Sequence, residues 1–472
     1  VAALVFVAGA LAGCAAGPDY RAPTASAPAH YVTRSPEFVD GAARDDWWQA
    51  LGDPALDGLV DAARRDNPGL AAATARVRAS REQARLSRAA LWPELDATGK
   101  VSRDRLSRNS ENLANLPFPN PRLEFTDYRA GFDASWELDL AGHARRTVEG
   151  AVARAQSEGE SRHDAELVLI AEVVDAYVDV RSGQARSALA ERAIAAARET
   201  ERLVALQHRA GLASDLDRDR STTDRLAVEA RRPPIESDLK TAEQRLAALT
   251  ARDPAALAVS LAPGPLPASP GVVPVGLPAD LLRRRPDVRR AERELAAASA
   301  DVGVAVADLF PRLSLVGDVG VDAIHAGDLT NGASRYWNVG PQLRLPLFAA
   351  GRLRASVRAR QALYDAALAS YRSTVLQAFA DTESALIRFA TARRQLADLR
   401  ELRDTARRDL DLARRRYAAG DTALTDVLDV ERRAIDADDQ AEVAASRVVS
   451  QYAALSKALG GGWADGGPPA GP

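Results

Sequence analysis

The chain has 472 residues, enough for several domains, with a formal net charge of −3 and 27% charged residues. That near balance leaves no basic footprint for nucleic acid, and a single cysteine excludes an internal disulfide or a CxxC metal knuckle. There is no methionine, so we read the chain as lacking its true N-terminus or as starting from a non-standard codon.

Residues 1–13 read as an incomplete signal peptide. Val1 to Ala10 is apolar but too short for a bilayer, which needs roughly 20 such residues, and it closes on small residues before Cys14. Leu11-Ala12-Gly13-Cys14 resembles a bacterial lipobox, which implies acylation of Cys14. Residues 14–45 then form an acylated tether, Pro/Ala-rich from Gly17 to Pro36.

The rest of the chain says the same thing twice. Leu91-Trp92-Pro93-Glu94-Leu95 returns as Leu309-Phe310-Pro311-Arg312-Leu313, and Asn67-Pro68 returns as Arg285-Pro286, about 218 residues on. Ala210-Gly211 with Asp217 returns as Ala419-Gly420 with Asp426, about 209 residues on. We therefore expect a first structural repeat over 46–262, a Pro/Gly-rich linker over 263–278, a second repeat over 279–460, and a tail over 461–472.

Each repeat opens with helices and continues into a strand pair, about 94–139 in the first and about 312–348 in the second. Tyr128, Ala130, Phe132, Ala134, Trp136 and Leu138 alternate with Arg129, Gly131, Asp133, Ser135 and Glu137. Trp337, Val339, Pro341, Leu343, Leu345 and Leu347 alternate in the same way with polar or small residues. Two partner strands follow the Trp92-Pro93 and Phe310-Pro311 signals, with Val316 as the exception to alternation. Soluble sandwiches share this pattern, but strands of about ten residues also match transmembrane β-strands. Four strands are too few to close a barrel, and an open edge cannot face lipid, so a membrane reading requires several chains to share one barrel.

A helix hairpin follows each strand pair, over 143–250 and 352–459. The first long helix carries no proline from His143 to His208; the second carries neither proline nor glycine from Arg352 to Ala419. Some 65 residues give roughly 100 Å of helix, too long for a globular core. Leu396, Leu399, Leu402, Ala406, Leu410, Ala413 and Tyr417 step by three and four, the spacing of a coiled coil. Gly211 and Gly420 end the long helices, and Pro233-Pro234 is expected to break the first returning helix.

Taken in order, these residues resemble the TolC-like outer-membrane factors, in particular the NodT-type efflux lipoproteins. The resemblance rests on Trp47-Trp48, Gly52-Asp53-Pro54, Asn67-Pro68 and Trp136-Glu137-Leu138-Asp139-Leu140. It continues through Leu281 to Asp287 (LLRRRPD), Leu309-Phe310-Pro311, Leu345-Pro346-Leu347-Phe348 with Gly351, and Leu459-Gly460-Gly461-Gly462-Trp463. Ala141 and His208 depart from the aromatic and the tyrosine usual at those places.

The resemblance implies an α+β membrane protein. Four strands per chain would form a shared 12-stranded trimeric β-barrel, continued by a long antiparallel coiled-coil α-helical barrel. It implies a homotrimer in outer-membrane lipid, joined to a periplasmic adaptor (membrane fusion) protein and an RND-type inner-membrane efflux pump. Ala15 is not the aspartate that retains lipoproteins in the inner membrane. The expected function is passive export of drugs or other small toxic solutes, with no enzymatic activity and no cofactor beyond the lipid on Cys14. A duct for type I protein secretion and a non-conducting periplasmic coiled-coil scaffold remain alternatives.

Asp426 and Asp429 lie three apart on one helix face after the Gly420 turn. By spacing alone they are an acidic helix start; by resemblance they ring a periplasmic gate, with Tyr417 and Asp217. By resemblance, too, Gly211 and Gly420 are hairpin tips that meet the adaptor. Asp215-x-Asp217-x-Asp219 opens like a calcium loop, but Arg220 and Leu226 replace its glycine and glutamate. The five histidines have no metal spacing, and no phosphate loop, GxSxG or HExxH motif occurs.

Overall fold

The computed structural model describes residues 15–24, 27–107 and 123–463. Residues 1–13, Cys14 and 464–472 lie outside the described residues, so the expected signal peptide, the acylation site and most of the tail are not placed. In chain order come β1 (Phe38–Val39), α1 (Pro54–Asp66), α2 (Pro68–Ala89), β2 (Glu94–Arg105), β3 (Glu124–Leu138) and α3 (His143–Arg209). Then follow α4 (Asp215–Glu229), α5 (Arg232–Leu249), α6 (Pro254–Ser260), β4 (Val273–Pro274), α7 (Pro278–Arg284) and α8 (Pro286–Ala307). The chain closes with β5 (Arg312–Ala323), β6 (Arg335–Arg344), α9 (Arg352–Ala418) and α10 (Leu424–Ala458).

The repeated X-Pro steps are helix boundaries. Asn67 and Arg285 both take extended backbone (ψ 122° and 120°), because the following proline ring disfavours the helical region. Asp53 caps α1 by accepting the Ala55 N–H at 3.0 Å, and Asn67 Oδ1 accepts the Leu70 N–H at 3.1 Å to start α2.

The described residues form two compact units, each drawing on both repeats. One comprises the described residues up to Pro23 with Arg78–Ser157 and Glu292–Ser370; the other comprises those of Thr24–Val77, Glu158–Ala291 and from Tyr371 on. The first unit holds a four-stranded antiparallel sheet in the order β2-β3-β5-β6. Its central pair joins β3 of one repeat to β5 of the other, while β2 and β6 are edges. Pro341 is tolerated in β6 because an edge strand need not donate on both sides. The alternation expected through Leu347 stops at Arg344, and Pro346 follows. The Trp136 indole donates to the Leu91 carbonyl at 3.0 Å, fixing the turn that carries the repeated Trp-Pro signal.

The second unit contains the main apolar core. Leu56, Tyr177, Leu281, Leu386, Phe389 and Leu455 are fully buried there. Phe389 packs in tilted ring contacts at 6.2 Å from Phe38 and 6.1 Å from Tyr452. Truncating Phe389→Ala is expected to cost about 3–5 kcal/mol, read as a lower midpoint in denaturant unfolding of the solubilised protein. The C-terminal glycines bring Trp463 over His163, with centroids 4.5 Å apart, while its indole donates to the Arg284 carbonyl at 3.1 Å. Arg285 donates to the Ala458 carbonyl at 3.1 Å and chelates Asp287. The LLRRRPD and LGGGW motifs are thus two sides of one lock.

Three expectations change. The break in the first returning helix falls at Ala230–Arg231, ahead of Pro233-Pro234, because a helix tolerates proline in its first turn. The 14–45 tether and 263–278 linker are not free connectors throughout. β1 pairs in parallel with β4, Tyr31, Val273 and Val275 are buried, and Glu383 accepts from the Thr33 N–H at 3.1 Å and hydroxyl at 2.8 Å. A few apolar residues among the prolines suffice to anchor both segments, although most of their residues stay at least partly exposed. Finally, α6 was not expected, although Asp253-Pro254 is an N-cap followed by an N1 proline.

Candidate functional site

Two regions carry the expected function: the sheet and the hairpin tips. In the sheet, one cross-strand row reads Ala97, Phe132, Val319 and Trp337, and the next reads Asp96, Asp133, Asp318 and Asn338. Extending the register puts Leu95, Val101, Ala134, Trp136, Leu315, Val339 and Leu343 on the first face. Glu94, Thr98, Lys100, Arg129, Glu137, Asp322 and Gln342 share the second face, together with Val316, the expected exception. On the apolar face Trp337 is 75% exposed and Phe132 53%. On the polar face the Arg129 Nε donates to the Tyr336 hydroxyl at 2.8 Å, and Arg129 pairs with Asp318 at 3.4 Å. The sheet is therefore a curtain, apolar on one side and charged on the other, with two open edges.

The hairpin tips repeat one design. Gly211 (φ +75°) and Gly420 (φ +80°) adopt the left-handed conformation, so each long helix ends in a Schellman turn. Its longer hydrogen bond runs from the Leu212 N–H to the Gln207 carbonyl at 2.8 Å, and from the Asp421 N–H to the Arg416 carbonyl at 2.9 Å. The returning helix then starts on an aspartate that caps backward. Asp217 accepts from the Ser214 hydroxyl at 2.7 Å and its N–H at 3.0 Å; those bonds hold its carboxyl below the usual aspartate range. Asp426 accepts from the Thr422 hydroxyl at 2.7 Å and the Ala423 N–H at 3.4 Å. Alanine at the cap position accepts nothing, so the second repeat carries only half of the capping box.

Tyr417 packs with Val204, Leu424 and Leu428, and its hydroxyl donates to Gln207 Oε1 at 2.7 Å, joining the ends of the two long helices. His208, its repeat partner, instead contacts Asp215 at 3.0 Å. Asp426 and Asp429 are both exposed, and Asp429 pairs with Arg432 at 3.4 Å.

Three residues behind the tips were not expected. Arg432 also binds Asp224 of α4, whose side chain is 3% exposed. Glu431 is 2% exposed, takes one bond from Arg414 at 2.9 Å, and leaves Oε2 without a partner. The signal was present: Glu431 interrupts the apolar stripe Leu424, Val427, Leu428, Ala434, Ala437. Burial pushes the Glu431 carboxyl up, Asp224 adds to this, and Arg414 offsets it only in part. A raised folded-state value means that the folded protein holds this proton more tightly than the unfolded chain. The stability it contributes is present at low pH and is lost as pH rises from the ordinary glutamate value of 4.5 through the raised one. Glu431→Gln is expected to flatten that part of the thermal-stability profile against pH, checked by circular dichroism melts.

No helix among the described residues is long and apolar enough to cross a membrane, and none of those residues cluster as a metal site.

Residues 59–252 and 277–461 match the family model described as outer membrane efflux protein. The first stretch lies within the first repeat, and the second spans the second repeat with one or two residues beyond it at each end. The chain is 33% identical over 465 residues to the antibiotic efflux pump outer membrane protein ArpC of Pseudomonas putida, covering 96% of this chain and 93% of that one. It is 34% identical over 417 residues to the pyoverdine export outer membrane protein OpmQ of Pseudomonas aeruginosa, covering 88% and 87%. Among solved structures, the outer-membrane channel OprN superposes with a TM-score of 0.88 at 34% identity, over 95% of this chain and 100% of that one.

Proposed function

The chain belongs to the outer membrane efflux protein family and is an outer-membrane efflux channel, and from that premise we propose how its parts conduct. Three chains join edge to edge, β2 of one against β6 of the next, into a 12-stranded barrel. Closure satisfies the two open edges, which lipid cannot do. The apolar face meets lipid and the charged face lines a water-filled duct. The observation that carries this reading is the register, which sorts the aspartate row and the Phe132–Trp337 row onto opposite faces.

The exported class is small toxic solutes, supported by the relation to an antibiotic efflux component; a pyoverdine-export relative marks the alternative cargo. An adaptor protein meets the Gly211 and Gly420 tips, and an RND-type inner-membrane pump supplies the energy. Asp426 and Asp429 ring the closed periplasmic end, with Tyr417 and Asp217 holding the tips beside them. Cys14 carries a lipid.

Purified protein in planar bilayers tests the channel. Stepwise conductance from a species that cross-links as a trimer is expected. A monomer without conductance would overturn both trimer and duct and favour a scaffold. Drug hypersensitivity on deletion, without loss of a secreted protein, separates efflux from type I secretion.

A further inference from the structure

We propose that Arg312, Arg344 and Arg352 form an anion site on the duct wall, where β5 begins and β6 ends, and that it takes a solute joining a carboxylate or sulfonate to a single apolar ring. This deepens the reading of the charged face as the duct wall and rests on it.

Arg312 and Arg344 are cross-strand partners, the pair that ends the β5–β6 ladder. Counting by two from Asp318 and Asn338 puts both on the charged face. Like charges directly opposite destabilise a strand pair unless something answers them. The duplication does not call for this pair, because the matching positions of the first repeat are Glu94 and Glu137.

Arg352 joins them from the start of α9. Two left-handed residues in a row, Ala350 (φ +48°) and Gly351 (φ +83°), carry the chain from β6 into that helix. The three arginines line one cavity of about 250 Å³. Among the described residues the only carboxylate in its lining is Asp308, which pairs with Arg312 and faces His143 at 3.4 Å. The Arg344 and Arg352 side chains are exposed and have no hydrogen-bond or ion-pair partner among the described residues.

The cavity therefore holds two uncommitted guanidinium groups, each a planar fork of donors that matches an oxyanion. Phe310, 48% exposed, and Pro346 supply an apolar wall for a ring. The volume falls just under the roughly 300–1,000 Å³ of drug-sized sites, so one ring rather than several is the fitting size. Further along, the same face is acidic at Asp96, Asp133 and Asp318. An anion moving along the wall is thus repelled there and held here.

The test records single channels of the full chain in planar bilayers with benzenesulfonate as the probe. Brief, concentration-dependent block of the wild-type current is expected. The half-blocking concentration should rise about tenfold in Arg344→Gln and in Arg352→Gln, the loss of one charge-assisted hydrogen bond. Sulfate, which lacks the ring, and benzyl alcohol, which lacks the charge, should block about tenfold more weakly than benzenesulfonate. Absence of any conductance sinks the channel reading and the site with it. Conductance without block, block unchanged in either variant, or sulfate or benzyl alcohol as effective as benzenesulfonate overturns the site alone. Loss of the trimer in Arg344→Gln would make that residue a tie to the neighbouring chain and overturns the site as well.

Discussion

Replacing Asp426 and Asp429 together by alanine is expected to open the channel. Asp426 ties the start of α10 to Thr422 and Ala423, and Asp429 engages Arg432, whose other partner is the buried Asp224. Losing a helix-start cap costs about 1 kcal/mol. In the proposed trimer that is about 3 kcal/mol against the closed arrangement, or roughly a hundredfold shift toward the open one. Two carboxylates about 6 Å apart repel by roughly 3 kcal/mol at an effective dielectric near 20, so a ring of them closes only where such ties restrain it. Single-channel recording in bilayers measures the open fraction. A double variant with wild-type conductance and dwell times would remove the gate from these residues and leave them as helix caps. Asp217→Ala removes the equivalent cap without the acidic pair and is expected to give the smaller effect.

Placing an arginine at either of two adjacent residues of β3 is expected to separate lipid from water. Phe132 and Asp133 are neighbours in sequence, but their rows are Ala97–Phe132–Val319–Trp337 and Asp96–Asp133–Asp318–Asn338. Phe132→Arg places a guanidinium on the lipid face at a cost of about 2–4 kcal/mol per chain near the bilayer midplane. The expected result is loss of the heat-modifiable trimer from the outer membrane. Asp133→Arg keeps the trimer and lowers the cation-to-anion permeability ratio measured from reversal potentials. Equal tolerance of both substitutions would mean that neither face meets lipid.

Much of this fold was legible because its signals are periodic. The alternation around Tyr128 and Trp337 gave the strands within a few residues, and the proline-free runs ending at Gly211 and Gly420 gave the long helices. The Val316 exception also stands, since the register places it among the polar residues. What was misread lacks a period. The Ala16 contact to Ala141 and the β1–β4 pair are short, and proline or alanine composition looks the same in a free tether and in one that packs. The Pro233-Pro234 break was displaced because first-turn tolerance, not proline itself, sets where a helix restarts.

The sequence by itself determined the duplication, the order of the long helices and the four sheet strands, the two faces of each strand and the aspartates at the second tip. Each is local: a side chain's face follows from period two or 3.6, and a turn follows from glycine. Only the tertiary structure decided which strands are neighbours, that Tyr417 bonds Gln207, that Glu431 keeps one unpaired oxygen, and that the buried Arg146 binds the Ala16 carbonyl and Asp19. Those are contacts between residues far apart in the chain. They depend on how helices pack side by side and on which backbones approach closely, and no local pattern encodes either.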